Sequence, residues 1–281
     1  MSVINTNVKA LAAQNALTVN NRAMSKTMEQ LSTGRRINTA ADDAAGLAIS
    51  NKMTSQIRGL DQAVRNANDG ISMIQTAEGA TVEVTNMLQR MRELAVQAAN
   101  DTNSSADRGS LNKEVVELQK EIKRISANTQ WNSMNISGPV GVTALAAAKF
   151  QVGANANQVI TVAFRNIQAL SGMPAGLSTT GLGLSTLTRS NAAILTLDIA
   201  ISAVDAYRAD LGAKINRLTY AADNLMNISQ NQSASRSRIL DADYAKASSE
   251  LARTQIIQQA ANAMLAQANQ QPQAVLQLLQ G

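Results

Sequence analysis

From Thr254 to Gly281 the chain carries no Asp, Glu, Lys or Arg, and ahead of Arg22 its one charged side chain is Lys9. No proline interrupts residues 1–138 or 175–271, so long helices are permitted at both ends. A helix without charges solvates poorly. Ile256, Ile257, Ala260, Ala261, Met264, Leu265 and Ala268 wrap much of one such helix, and a helix apolar on most sides needs several neighbours. One molecule offers a single similar partner, the N-terminal segment. The remaining neighbours must be other copies, and the chain is therefore expected to self-assemble.

Between the ends the apolar spacing is that of coiled coils. Ile57, Leu60, Val64, Ala67, Ile71 and Ile74 alternate by three and four, as do Leu111, Val115, Leu118, Ile122 and Ile125. The longest seam runs Ile194, Leu197, Ile201, Val204, Arg208, Leu211, Ile215, Leu218, Ala222 and Leu225. Val3, Ala10, Leu17, Met24 and Leu31 form a looser stripe at seven-residue spacing. Three rod helices and two end helices are predicted.

Breakers mark off the middle. Seven of the fifteen glycines fall between Gly138 and Gly183, together with Pro139 and Pro174. Lys149–Val152 and Val159–Arg165 read as two strands around a Gly-Ala-Asn-Ala-Asn turn, a β-hairpin. Residues 171–190, rich in Gly, Ser, Thr and Leu, read as irregular loop or short β structure. Thr39-x-x-Asp42 reads as a capping box before Ala44, the Asp101–Ser105 cluster as a turn, and Ser190–Asn191 as the cap of the C-terminal rod helix. The close carboxylates Asp42–Asp43 and Asp241/Asp243 sit beside predicted helix starts, where capping accounts for them.

Composition excludes most chemistry. The chain has no Cys and no His, which removes disulfides, thiol chemistry, the usual zinc ligands and the commonest general base. It shows no glycine-rich phosphate loop, so no catalytic residues, no metal site and no cofactor are expected. A net charge of +5 comes from scattered basic residues without interleaved aromatics, which argues for no nucleic-acid partner. No run of 18 apolar residues suggests membrane insertion, and Met1–Asn7 lacks the pattern of a cleaved signal peptide.

Taken in order, the motifs resemble one family. Val3-Ile-Asn-Thr-Asn, Leu31-Ser-Thr-Gly-Arg-Arg-Ile-Asn, Asp42-Asp-Ala-Ala-Gly-Leu-Ala-Ile and Arg65-Asn-Ala-Asn-Asp-Gly-Ile-Ser in the first half look like bacterial flagellins, the subunits of the flagellar filament. So do Ala213-Lys-Ile-Asn-Arg-Leu, Ser235-Arg-Ser-Arg-Ile, Asp241-Ala-Asp-Tyr-Ala, Gln255-Ile-Ile-Gln-Gln-Ala and Met264-Leu-Ala-Gln-Ala-Asn in the second. One departure is Ser133 in Trp131-Asn-Ser-Met-Asn, where the family usually has Gly.

The resemblance implies a mainly α fold: a long antiparallel helical coiled-coil rod formed by both chain halves, with a small β-hairpin region in the middle. Residues 1–40 and 235–281 are the two parts of an inner assembly domain. Residues 41–138 hold the N-terminal rod helices, 139–189 the short central segment and 190–234 the C-terminal rod helix. Self-assembly is expected to involve Val3, Ile4, Leu11, Leu17, Ile256, Ile257, Met264, Leu265, Leu276 and Leu279. The rod seam is expected at Ile57, Leu60, Val64, Ile71, Ile74, Leu111, Leu118, Ile122, Ile201, Val204, Leu211, Ile215, Leu218 and Leu225.

The resemblance further implies an extracellular subunit of a helical homopolymer for motility. Such a chain is exported without a cleaved signal peptide, through the flagellar export apparatus and with a flagellin chaperone. Filament cap and hook-filament junction proteins are the other bacterial partners. A host Toll-like receptor, the vertebrate innate flagellin receptor, is implied through Gln89, Arg90, Leu94 and Gln97, with Glu114 on the next helix. The ends are expected to be disordered in the monomer and to order as subunits stack. Two alternatives share part of the pattern: a hook-filament junction protein and a cytoplasmic coiled-coil signalling module.

Overall fold

A computed structural model describes residues 6–137, 147–167 and 183–280, with 271–280 described as helix backbone. Val3, Ile4, the side chains of Leu276 and Leu279, and most of the 171–190 loop lie outside the described residues. The elements are α1 (Val8–Thr33), α2 (Ala44–Ala98), α3 (Ser105–Asn128), β1 (Gln130–Trp131), β2 (Met134–Asn135), β3 (Ala147–Gln151), β4 (Val159–Ala163), α4 (Leu187–Leu240) and α5 (Tyr244–Gln280). The chain forms two compact units, one from Met1–Gln56 with Gln230–Gly281, the other from Ile57–Ser229.

The unit spanning Ile57–Ser229 holds the larger core. Arg90 pairs with Glu114 and Arg108 Nε donates to the Ala98 carbonyl, so α3 runs antiparallel to α2. Arg92 pairs with Asp198, and Ser229 Oγ donates to Asp61, so α4 also runs antiparallel to α2. Val84, Leu88, Met91, Ala95, Val115, Ile122, Leu197, Val204, Leu211 and Leu218 are all but fully buried. Of the seam positions expected from spacing, Ile57, Leu60, Ile74, Ile122, Val204, Leu211, Leu218 and Leu225 are buried. Val64, Ile71, Leu111, Leu118, Ile201 and Ile215 are half-buried at the core's margin. The alanines Ala63, Ala67, Ala77, Ala95, Ala98, Ala193 and Ala200 do as much of the packing, which lets helix backbones approach without aromatic filling.

Two small antiparallel hairpins complete this unit. β3 and β4 pair from Ala147↔Ala163 to Gln151↔Val159, as the alternation in Val159–Ala163 predicts, with Ile160 and Val162 turned inward. Asn66 Nδ2 donates to the Gln151 carbonyl, and Phe150 lies so close to Gly70 that a Cβ there would meet the ring at 3.0 Å. The hairpin β1–β2 turns through Asn132 (φ 47°) and Ser133 (φ 65°), both left-handed, as a two-residue loop of that type demands. Ser133 thus stands at a conformation that favours Gly. Ser133→Gly is expected to stabilise this unit by about 1 kcal/mol, read as a higher denaturation midpoint with unchanged slope. A lowered midpoint would refute the strain.

Two cap assignments need correction. Helix α2 is capped by Asp43, not by Thr39-x-x-Asp42: Gly46 N donates to Asp43 Oδ1 at 2.8 Å, and the helix begins at Ala44. Asp42 instead folds back onto the amides of Asn38 and Thr39 and pairs with Lys26 at 2.7 Å. That ammonium, with the two amides, holds its carboxyl well below the usual carboxylate range. Helix α4 starts at Leu187, three residues before Ser190; Thr186 Oγ1 accepts from Arg189 N, and Ser190 is buried with its hydroxyl on the Thr186 and Leu184 carbonyls. Asp243 caps α5 by accepting from Ala245 and Lys246, whereas the Asp241 carboxylate accepts from Ser237 and its main chain forms an isolated antiparallel β-bridge with Arg35. The expected turn at 101–105 is present, closed by a capping box of Ser104 with Asp107.

Among the described residues one helix, α4, is long and apolar enough by composition to cross a membrane, with mean hydropathy 1.2 over 18 residues. Its inward side chains Ala193, Leu197, Ala200 and Val204 are spent in the protein core, and its Asp198 is ion-paired.

Candidate assembly surface

The unit made of the chain ends is built on the antiparallel pair α1–α5. Asn7 opens α1 by accepting from Ala10 N, and Gly34 ends it at φ 68°, a left-handed position that a residue without Cβ adopts freely. The motif after that glycine has a partner. Arg36 N donates to the Leu240 carbonyl, Ala242 N to that of Gly34, and Arg36 Nη2 to that of Ile239, so residues 34–36 lie along the corner between α4 and α5. Ile37 is 2% exposed, and a Cβ on Gly46 would meet its Cδ1 at 2.7 Å, which ties that glycine to Ile37.

Along the pair, Asn7 Nδ2 donates to the Ala268 carbonyl, Asn20 Nδ2 to that of Thr254, and the Tyr244 hydroxyl to that of Leu31. Gln258 Nε2 donates to Asn21 Oδ1 at 2.9 Å. The fully buried side chains on the inner side are polar or small: Asn20, Thr27, Thr254 and Ala247. This set of hydrogen bonds joins the two end helices along their length.

Several large apolar side chains point the other way. Val8, Leu11, Val19 and Met28 on α1, and Ile256, Ile257 and Met264 on α5, are exposed, Ile256 to 66%. Leu17 and Leu265 are half-buried. Val19, Ala23 and Ile257 line an open groove between the helices, with Glu250 and Arg253 paired beside it. Burying each such side chain gains about 1.5–3 kcal/mol. The arrangement is suited to packing against further helices, and among the described residues no group of side chains could hold a metal.

The second candidate site lies on α2 and α3. Gln89, Arg90, Gln97 and Glu114 are exposed, and Arg90 bridges Glu93 and Glu114 at 3.0 Å each. Leu94 is 1% exposed and belongs to the core. Sequence reasoning missed the polar seam of Asn20, Asn21, Thr254 and Gln258, because it sought apolar stripes; the one available signal was that Asn20, Thr254 and Gln258 lie seven residues from Ala13, Ala247 and Leu251.

Profiles of two protein families match the chain. The bacterial flagellin N-terminal helical region matches residues 4–137, and the bacterial flagellin C-terminal helical region matches residues 194–279. A flagellin of Halalkalibacterium halodurans is 48% identical over 277 residues, spanning 99% of each chain. A flagellin of Bacillus subtilis is 43% identical over 304 residues, spanning 98% of this chain and 99% of its own. Among solved structures, Bacillus cereus flagellin superposes with a TM-score of 0.51 at 30% identity, over 57% of this chain and 88% of that one. A hook-associated protein described for Vibrio parahaemolyticus shares the fold, with a TM-score of 0.59 at 12% identity, over 71% of this chain and all of that one.

Proposed function

The chain belongs to the bacterial flagellins, the extracellular subunits of the flagellar filament, and from that premise we propose that its subunit contacts are carried by the outward faces of α1 and α5. The observation behind this reading is the apolar surface left on the outside of the pair: Val8, Leu11, Val19, Ile256 and Met264 are exposed. Leu17 and Leu265, half-buried on the same two helices, belong to these contacts in the same reading. Repeated non-closing contact between such faces builds a helical polymer, and each added subunit removes its apolar side chains from water. Val3, Ile4, Leu276 and Leu279 extend the same surface in this proposal.

Trypsin tests the idea at Lys9, Arg22, Lys26 and Arg253, which lie on α1 and α5. Cleavage there is expected to fall by roughly tenfold or more when the soluble subunit enters filaments. Equal cleavage in both states would remove the ends from the interface.

The finer partners follow from the family. The chain leaves the cell through the flagellar export apparatus, escorted by a flagellin chaperone, and adds beneath a filament cap on a base of hook-filament junction proteins. Absence of cysteine and few prolines favour passage unfolded and quick refolding, since disulfide reshuffling and most proline isomerisation are avoided.

A host Toll-like receptor reads the face of Gln89, Arg90, Gln97 and Glu114. Leu94 supports that face from beneath. The support is the exposure of these four side chains on adjacent helices and the ion pairs that hold Arg90 outward. Arg90→Asp reverses a charge between Glu93 and Glu114, and reporter-cell signalling by soluble subunit is expected to drop by about tenfold or more. Unchanged signalling would dismiss this surface.

A further inference from the structure

The chain has no cysteine, so its sulfur chemistry rests wholly on methionine. A thioether is oxidised only where the oxidant can reach the sulfur, and the methionines among the described residues divide on that criterion. Met73 and Met91 are 3% and 0% exposed in the core of the Ile57–Ser229 unit, and Met24, Met53 and Met87 are half-buried. Met28 on α1 and Met264 on α5 are 54% and 63% exposed, and stand among the outward apolar side chains of the end helices with Val8, Leu11, Ile256 and Ile257. Met134 and Met226, also exposed, belong to the other unit.

Oxidation changes what Met28 and Met264 offer a neighbour. The sulfur attacks the O–O bond of hydrogen peroxide: an S–O bond forms, the O–O bond breaks, and sulfur gives up two electrons. The departing hydroxide takes the proton of the transferred oxygen and leaves as water. A flexible apolar side chain, well suited to an interface, becomes a sulfoxide whose oxygen is a hydrogen-bond acceptor. Pressed into a contact made of apolar side chains, that oxygen gives up water and gains no donor.

We propose that Met28 and Met264 form a modification site for hydrogen peroxide, at which sulfoxidation of the free subunit blocks its addition to a filament. The proposal rests on the reading that the outward faces of α1 and α5 carry the subunit contacts. Within the filament the same sulfurs are covered and spared. The block is reversible, because thiol-dependent methionine sulfoxide reductases, one for each sulfoxide epimer, return the thioether while two thiols become a disulfide and the oxygen leaves as water.

The test uses the full-length subunit, hydrogen peroxide and seeded growth, with sulfoxide at each methionine measured by peptide mass spectrometry. In the free subunit Met28 and Met264 are expected to oxidise at least about tenfold faster than Met73 and Met91. Subunit oxidised at both positions should elongate seeds about tenfold more slowly than untreated subunit. Met28→Leu/Met264→Leu keeps volume and apolar character, so it should elongate within about threefold of the parent and hold that rate after peroxide. Met28→Gln/Met264→Gln should be slow without peroxide. Both reductases with dithiothreitol should restore the oxidised parent.

An oxidised parent that elongates at the untreated rate would overturn the proposal, as would a double leucine chain slowed by peroxide as much as the parent. Unimpaired growth of the double glutamine chain counts the same way. Peroxide treatment of filaments separates the proposal from the reading beneath it. If Met28 and Met264 oxidise as fast in filaments as in free subunits, the outward faces are not the contacts and both fall. If they are protected in filaments while oxidised subunits elongate normally, the proposal alone falls.

Discussion

Deletion of residues 254–281 leaves a soluble, largely helical chain that no longer elongates filament seeds. The core of Leu88, Met91, Val115, Leu197, Val204 and Leu211 lies wholly within Ile57–Ser229, and none of its side chains comes from the deleted segment. Its stability should be carried over. Helix α1, by contrast, loses the Thr254 and Ala268 carbonyls and the Gln258 amide that pair with Asn20, Asn7 and Asn21. It also loses Ile256, Ile257 and Met264 from the outward surface. Circular dichroism should show a retained cooperative melt, while light scattering after seeding stays at baseline. Seeded growth at the parent rate would show that the subunit contacts lie elsewhere.

The second large effect separates the two kinds of apolar residue. Leu211 is 0% exposed in the core formed with α2, and Leu211→Asp places an unpaired carboxylate there at a cost of roughly 3–5 kcal/mol. That is a large share of a domain's stability, so the melt of the free chain should collapse or broaden. Ile256 is 66% exposed on α5, and Ile256→Asp should leave the melt within about 0.5 kcal/mol of the parent. Yet the same change should slow seeded elongation by about thirtyfold or more, if the side chain contributes about 2 kcal/mol on burial by a neighbour. An Ile256→Asp chain that assembles normally would place that side chain in solvent in the filament too. A Leu211→Asp chain with an unaltered melt would contradict its burial.

Elements were legible where one physical rule dominates. The absence of proline over 1–138 and the spacing of Ile57, Leu60, Val64 and Ile74 or of Val204, Leu211 and Leu218 define helices, since only a helix brings such residues to one stripe. The alternation in Val159–Ala163 defines a strand in the same way, and the charge-free ends define surfaces that water does not cover well. The small turn at Asn132–Ser133 was legible as a place of unusual geometry, though not that both residues take positive φ.

What a stripe faces is a different matter. Periodicity marks Leu94 as a seam position while the family resemblance implies it as a receptor contact, and only the packing of α2 against its neighbours puts it at 1% exposure while Arg90 stays outside. A Thr-x-x-Asp pattern satisfies the capping rule at Asp42, but Lys26, on the preceding helix, captures that carboxylate and Asp43 takes the cap. Ile37 over Gly46, the 34–36 segment along residues 239–242, and Gln258 on Asn21 join residues that are not chain neighbours. The sequence by itself determined that the ends and the rod segments are helical, and the excess of apolar surface at the ends. Tertiary structure alone decided which polar side chains turn inward between α1 and α5 and which apolar ones are left outside. Local propensity and spacing act within a few turns of chain, whereas the choice of hydrogen-bond partner depends on what the fold brings alongside.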